Sequence, residues 1–229
     1  MQTLWKLLTP TRVVESVKDV DPNELKAQGI TAIITDLDNT LVPWRHYEIA
    51  PGVVEWLGAL EVAGIKICIA SNTIHTERLA QLAKTMNIDF VDRVRKPWTD
   101  GFERAMQKMG SNEHNTAVFG DQIFTDMLCG NRLGLTSILL RPPLSKEEFV
   151  STQVVRVLEN IVIRRLRARN AWPAAQAAAE AAAGAIEQAL ETMPDPRTPQ
   201  GQRRERVLIG TLIGASALAL FFAIKRMRS

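Results

Sequence analysis

Five short apolar runs punctuate residues 29–140, and a helix-like segment lies between each run and the next. The runs are "GITAIITD", "IKICIASN", "IDFV", "NTAVFGD" and "LTSILL". Each is short and rich in β-branched or small apolar residues, which reads as a strand. The segments between them are "PGVVEWLGALEVAG", "HTERLAQLAKTMN", "TDGFERAMQKMG" and "FTDMLCGNRLG". Their apolar residues recur at helical spacing, with glycine stops such as Gly64. Strict alternation of this kind predicts a three-layer α/β domain, a parallel sheet with helices on both faces. Upstream, residues 12–28 read as short helical pieces, with Pro22 at a helix start.

In such a sheet, ligands bind outside the carboxyl ends of the strands. The polar residues that end each run are therefore the candidates for chemistry. Asp36 and Asp38 follow the first run, Ser71 and Asn72 end the second, and Lys96 follows the third. Asp121 and Asp126 stand in "GDQIFTD" after the fourth. A spacing of two places Asp36 and Asp38 on one side of extended backbone. Buried carboxylates are costly unless paired or metal-bound, and close pairs resist joint ionisation.

Four converging carboxylates would repel one another and any anion, and a hard divalent cation resolves that conflict. Magnesium prefers oxygen ligands and bridges carboxylates to substrate phosphates. Lys96 adds a second positive charge, and the Ser71 hydroxyl can hold phosphate oxygens. A carboxylate aimed at phosphorus then acts as a covalent nucleophile. What remains for the protein is positioning and charge neutralisation.

These motifs resemble the haloacid dehalogenase (HAD) superfamily of phosphohydrolases. "DLDNT" is similar to its DxDxT first motif, "SN" to its second, Lys96 to its third and "GDQIFTD" to the GDxxxxD form of its fourth. Residues 1–169 look more narrowly like the YqeG-like branch, which includes phosphatidylglycerophosphate phosphatases. The stretches that carry this are "ITDLDNTLVPW", "IASNT", "RKPW" and "VFGDQIFTDMLCGNRLG". The resemblance implies a Rossmann-like HAD fold, with Asp36 as nucleophile and Asp38 as general acid and base. It implies magnesium held by the Asp36 carboxylate, the Asp38 carbonyl and Asp121, with Asp126 supporting. Ser71, Asn72 and Lys96 would hold the phosphoryl group.

Only 35 residues separate Asp36 from Ser71, and 25 separate Ser71 from Lys96. One loop and a helix–strand unit fill each interval, so a capless, open cleft is expected. Open clefts suit bulky or surface-bound substrates, because small metabolites need more enclosure. Trp44 and Trp98 follow closely on two of the motifs. They line the cleft mouth, dip into lipid or pack in the interior.

The rest of the chain is of another character. The formal charge is only +3, but arginines cluster from Arg156 onward. Residues 145–169 form a basic amphipathic stretch whose apolar face is expected to be Val154, Val155, Leu158, Ile161, Val162 and Leu166. Residues 170–193 read as an alanine-rich helical spacer and 194–206 as a proline-rich basic linker. Residues 207–224 hold 18 uncharged residues between basic flanks, long enough as a helix of about 27 Å to span a bilayer. Gly210 and Gly214 form a GxxxG pattern, a hint that two copies pair through this tail. Cys68 and Cys129 read as small buried hydrophobes in a reducing compartment. His46, His75 and His114 show no zinc-ligand spacing. The arginines lack interleaved aromatics, so nucleic acid is not an expected partner.

The expected function is magnesium-dependent phosphomonoester hydrolysis through an aspartyl-phosphate, with phosphatidylglycerophosphate as substrate. The chain would be membrane-associated, its catalytic domain on the cytoplasmic or an equivalent side. One alternative is a phosphatase for soluble or protein-borne phosphate. Another is a membrane-tethered binding protein with no catalytic role.

Overall fold

A computed structural model describes residues 2–145, 150–169 and 171–173. Of the expected spacer (170–193) only residues 171–173 are described, and Trp172 among them is buried in the domain core; the expected linker (194–206) and membrane span (207–224), with Gly210 and Gly214, lie outside the described residues. Among the described residues, no helix is long and apolar enough to cross a membrane.

The strands are β1 (Arg12–Val14), β2 (Ala32–Thr35), β3 (Lys66–Ala70), β4 (Asp89–Val91), β5 (Thr116–Gly120) and β6 (Thr136–Leu140). All pair in parallel, in the order β1-β6-β5-β2-β3-β4. The helices are α1 (Gln2–Leu8), α2 (Pro22–Ala27), α3 (Val53–Ala63), α4 (Thr76–Met86), α5 (Asp100–Met109), α6 (Leu128–Arg132) and α7 (Val150–Ala168). The chain runs outward from β2 through β3 to β4, then returns to place β5 on the other side of β2. That reversal leaves a crevice outside the carboxyl ends of β2 and β5, where ligands bind in such folds.

Both faces of the sheet are covered, which is why β2 is buried throughout. On one face Ile33, Ile69 and Phe119 pack with Leu25, Trp56, Leu60 and Leu79. The Trp56 and Phe119 rings lie 5.5 Å apart, and the Trp56 indole N–H donates to the Val20 carbonyl at 3.0 Å. On the other face Ile34, Cys68 and Val118 pack with Phe102, Met106, Met127 and Leu166. Burying each such large side chain contributes roughly 1.5–3 kcal/mol. Cys68 and Cys129 are both buried, and burial pushes each thiol up to about 12. They pack as small hydrophobes.

Two expectations need correction. Residues 12–28 are not all helical: Arg12–Val14 form the edge strand β1, in register with Ile138–Leu140. Three residues carry no periodic signal, and their partner lies over 120 positions away. The Thr11 N–H donates to Ser137 Oγ at 3.0 Å and secures the start of that pairing.

The second correction concerns α7. Among its described side chains the buried ones are Glu159, Ile163 and Leu166, the last as expected, while Leu158 and Ile161 stand 51% and 45% exposed. The Glu159 carboxylate accepts the Ile123 N–H at 2.6 Å and faces Arg156 at 3.0 Å and Arg141 at 3.5 Å. A buried carboxylate must keep its partners. That requirement, rather than the apolar count, sets the rotation of the helix.

Candidate active site

Asp36 leaves β2 beside β5, its N–H donating to the Phe119 carbonyl at 2.9 Å. The chain then turns sharply. The Leu37 carbonyl accepts the N–H groups of Thr40, Leu41 and Val42, and Asn39 takes a φ of 62°. Asparagine tolerates that left-handed conformation better than most residues. The turn keeps Asp36 in the sheet interior and brings Asp38 to the same cleft by another side.

Lys96 lies at the centre. Its Nζ sits 2.6 Å from Asp36 Oδ1 and 2.7 Å from Asp126 Oδ1, with its side chain 3% exposed. Burial alone would lower the Lys96 pKa, but the charges of Asp126 and Asp36 outweigh it and the net shift is upward. The ammonium therefore stays charged. The Lys96 backbone is held by Asn72, whose Oδ1 accepts the Lys96 N–H at 2.7 Å. The Asn72 Nδ2 donates to the Lys96 carbonyl at 3.1 Å. Ser71 is buried at the end of β3 and lines the same cleft. Asn72 also lines it, but both polar ends of its side chain engage the Lys96 backbone.

Asp121 and Asp126 follow β5. Asp126 itself sits in a wide π-helical turn, Ile123–Met127, of a kind frequent at functional sites. Asp126 folds back over Gly120: a Cβ at Gly120 would lie 2.4 Å from Asp126 Cγ. The Asp126 Oδ2 also accepts the Gln122 N–H at 3.1 Å. Asp36, Asp121 and Asp126 each offer an oxygen within 4.8 Å of the others. Three hard oxygen donors at this separation fit a magnesium ion. Burial raises the Asp121 pKa, against the nearby Arg156 guanidinium. Burial also raises that of Asp126, against Lys96.

The Asp38 carboxylate lies outside this group and faces Arg78. Arg78 Nη2 is 2.9 Å from Asp38 Oδ1, and Nη1 donates to Oδ2 at 3.2 Å. The Arg45 N–H donates to Oδ1 at 3.2 Å. Burial and the Asp36 charge raise the Asp38 pKa, and Arg78 opposes them. Of two carboxylates two residues apart, one is thus grouped with Asp121 and Asp126, where a magnesium ion would fit. The other is separately held with an upward-shifted pKa, the arrangement an acid–base group requires.

The cleft has a volume of about 510 Å³, with Trp44, Ile74, Phe124 and Val155 as apolar lining. Trp44 is thus at the cleft, whereas Trp98 is 65% exposed and absent from its lining.

Sequence reasoning missed Arg78, Arg156 and Glu159. Arg78 is 7% exposed and also donates Nε and Nη2 to the His46 carbonyl, at 3.1 and 2.6 Å. Arg156 pairs with the Asp121 carboxylate and donates to its carbonyl at 2.5 Å. In sequence Arg78 is a single arginine and Arg156 heads the basic cluster, both in amphipathic helices, where such residues usually face solvent. No local pattern marks them.

Comparison with known proteins adds the family. Residues 11–134 match the family described as haloacid dehalogenase-like hydrolase. A probable phosphatase, YqeG of Bacillus subtilis, is 35% identical over 164 residues, covering 72% of this chain and 94% of that protein. The phosphatidylglycerophosphate phosphatase 1 of Arabidopsis thaliana is 27% identical over 169 residues, 70% of this chain and 48% of that one. Its counterpart from Chlamydomonas reinhardtii is 24% identical over 181 residues, 76% and 67% of the two chains. With the family match spanning more than half of the sequence, this chain belongs to the haloacid dehalogenase-like hydrolases, as a phosphatase of the YqeG-like branch.

Proposed function

We propose that this phosphatase hydrolyses phosphatidylglycerophosphate to phosphatidylglycerol and phosphate, with magnesium as cofactor. The observation that carries the chemistry is the division of labour between Asp36, buried against Lys96, and Asp38, held apart by Arg78. An Asp36 oxygen attacks phosphorus as the bond to the leaving alcohol breaks, and Asp38 gives its proton to the departing oxygen. Asp38 then takes a proton from water as that water attacks the aspartyl-phosphate, freeing phosphate and Asp36. The upward shift of Asp38 suits the first step, which needs it protonated. Lys96 offsets the negative charge throughout, and Ser71 offers a hydroxyl to the phosphoryl oxygens. Asp36, Asp121 and Asp126 would hold magnesium, which when bound neutralises charge on the transferring phosphoryl group.

Support for a lipid substrate comes from three sides. Two of the relatives are named for phosphatidylglycerophosphate, although their identity is lower than that of YqeG. Among the described residues, only a loop and a helix–strand unit separate Asp36 from Ser71 and Ser71 from Lys96, with no inserted cap. The basic and apolar segments beyond residue 200 suit attachment to an anionic membrane, at roughly 1 kcal/mol per basic residue near the surface.

The test is phosphate release from phosphatidylglycerophosphate in mixed micelles, with magnesium and with chelator. Wild type, Asp36→Asn and a panel of soluble phosphate esters complete it. Magnesium-dependent turnover of lipid, lost in Asp36→Asn, is the expected result. Turnover of soluble esters alone would overturn the lipid reading and leave a phosphatase for soluble or protein-borne phosphate.

A further inference from the structure

We propose that α7 is a membrane-docking helix: the side it turns away from the domain core lies on an anionic lipid bilayer, with the catalytic cleft beside it. The choice of a bilayer as occupant rests in part on the phosphatidylglycerophosphate reading, and the binding test below needs no turnover.

The helix is apolar on two opposite sides. Ile163 and Leu166 enter the core, and Glu159 is buried with them. The far side of such a helix is ordinarily polar, because it meets water. Here it carries Val157, Leu158 and Ile161, which stand 60%, 51% and 45% exposed. At about 3.6 residues per turn, these three share an arc of about 120° with Arg164 and Arg165. A contiguous apolar stripe left in solvent marks an interaction surface.

Charge decides what the stripe meets. Glu159 is the one acidic residue of α7, and it is buried. Arg164 and Arg165 are exposed, and neither guanidinium has a hydrogen bond or ion pair among the described residues. Arg167, by contrast, lies over the Trp172 ring at 5.7 Å. A second copy of this face would bring like charges together with no exposed acid on the helix to offset them. An anionic bilayer answers both features. Its hydrocarbon boundary receives the apolar side chains and its headgroups pair with the arginines, as for a helix lying in the interface plane.

The place of α7 in the fold ties docking to catalysis. Val155 lines the catalytic cleft, and Arg156 donates to the Asp121 carbonyl at 2.5 Å. Val157 and Leu158 follow directly in the same helix. A bilayer that receives them lies next to the cleft, so a lipid headgroup has a short path to Asp36.

The test places a polarity-sensitive dye on the full chain at Leu158→Cys or Ile161→Cys. Cys68 and Cys129 are buried, so the reagent finds the new thiol. Val62→Cys is the control, because Val62 is 90% exposed and α3 packs on the opposite face of the sheet. Vesicles contain phosphatidylserine in phosphatidylcholine, or phosphatidylcholine alone, with and without brominated acyl chains. On anionic vesicles the labels at 158 and 161 should shift to the blue and be quenched by bromine, while the label at 62 does not respond. Arg164→Gln with Arg165→Gln should raise the lipid concentration at half response about tenfold or more. Silent labels at 158 and 161 while the protein sediments with vesicles overturn the proposal and assign attachment to another segment. An equal response on neutral vesicles overturns it too. A shift that grows with protein concentration in the absence of lipid overturns it in favour of a second copy of the chain. Docking as expected without turnover of phosphatidylglycerophosphate keeps the docking helix and overturns the substrate reading. Turnover of that lipid with silent labels does the reverse.

Discussion

Lys96 Nζ lies 2.6 Å from Asp36 Oδ1, inside a cluster where three carboxylates share oxygens within 4.8 Å. One ammonium offsets part of that negative charge before any metal arrives. Lys96→Met should therefore destabilise the metal-free protein by about 3–5 kcal/mol, the cost of leaving buried charge unpaired. Urea unfolding in chelator measures it, and added magnesium should return part of the loss.

Arg78 holds Asp38 on the acid side of the cleft. Removing it in Arg78→Met takes away an influence that lowers the Asp38 pKa. Activity that needs protonated Asp38 should then extend to higher pH, while kcat falls about tenfold or more from misplacement of the acid. The alkaline limb of the kcat profile is the readout. An unmoved limb with the same fall would mean that Arg78 serves structure alone.

The carboxylate cluster should make the metal-free protein sensitive to base. Burial raises the Asp126 pKa to about 6 and the Asp121 pKa to about 8, from an ordinary value of 3.8. A carboxyl whose folded pKa is raised binds its proton more tightly in the folded state. Its stabilising contribution is complete below 3.8 and is lost as pH rises through about 6 and then about 8. In chelator, the thermal midpoint of Asp121→Asn should decline less than that of wild type between pH 5 and pH 9. Saturating magnesium should lessen the difference between the two pH slopes.

Gly120 leaves room for Asp126 to fold back. Gly120→Ala should displace that carboxylate and weaken magnesium binding about tenfold or more, with a smaller effect on the rest of the domain. Calorimetric titration of magnesium, beside a thermal melt, separates the two effects.

Glu159 ties α7 to the turn that carries Asp126. Glu159→Ala strips partners from the Ile123 N–H and from Arg141 and Arg156, and should cost about 2–4 kcal/mol. Guanidinium unfolding gives the figure, and faster proteolysis within α7 would show that the helix itself has come loose.

Much of this was legible before any coordinates. The five apolar runs and four helical segments determined the parallel sheet, because each obeys a local period. Asp36, Ser71, Asn72, Lys96, Asp121 and Asp126 could be nominated because parallel strands bring their carboxyl ends to one edge. What only the tertiary structure decided was of longer range. The edge strand Arg12–Val14 exists because β6 lies beside it. The rotation of α7 follows from the partners Glu159 must keep. Arg78 reaches Asp38 from 40 positions away, and Arg156 reaches Asp121 from 35. Strand period and turn chemistry are properties of neighbouring residues and can be read along the chain. A buried charge finds its partner only through the packing of whole elements, so the sequence by itself determined where the carboxylates gather and the fold decided which arginines hold them.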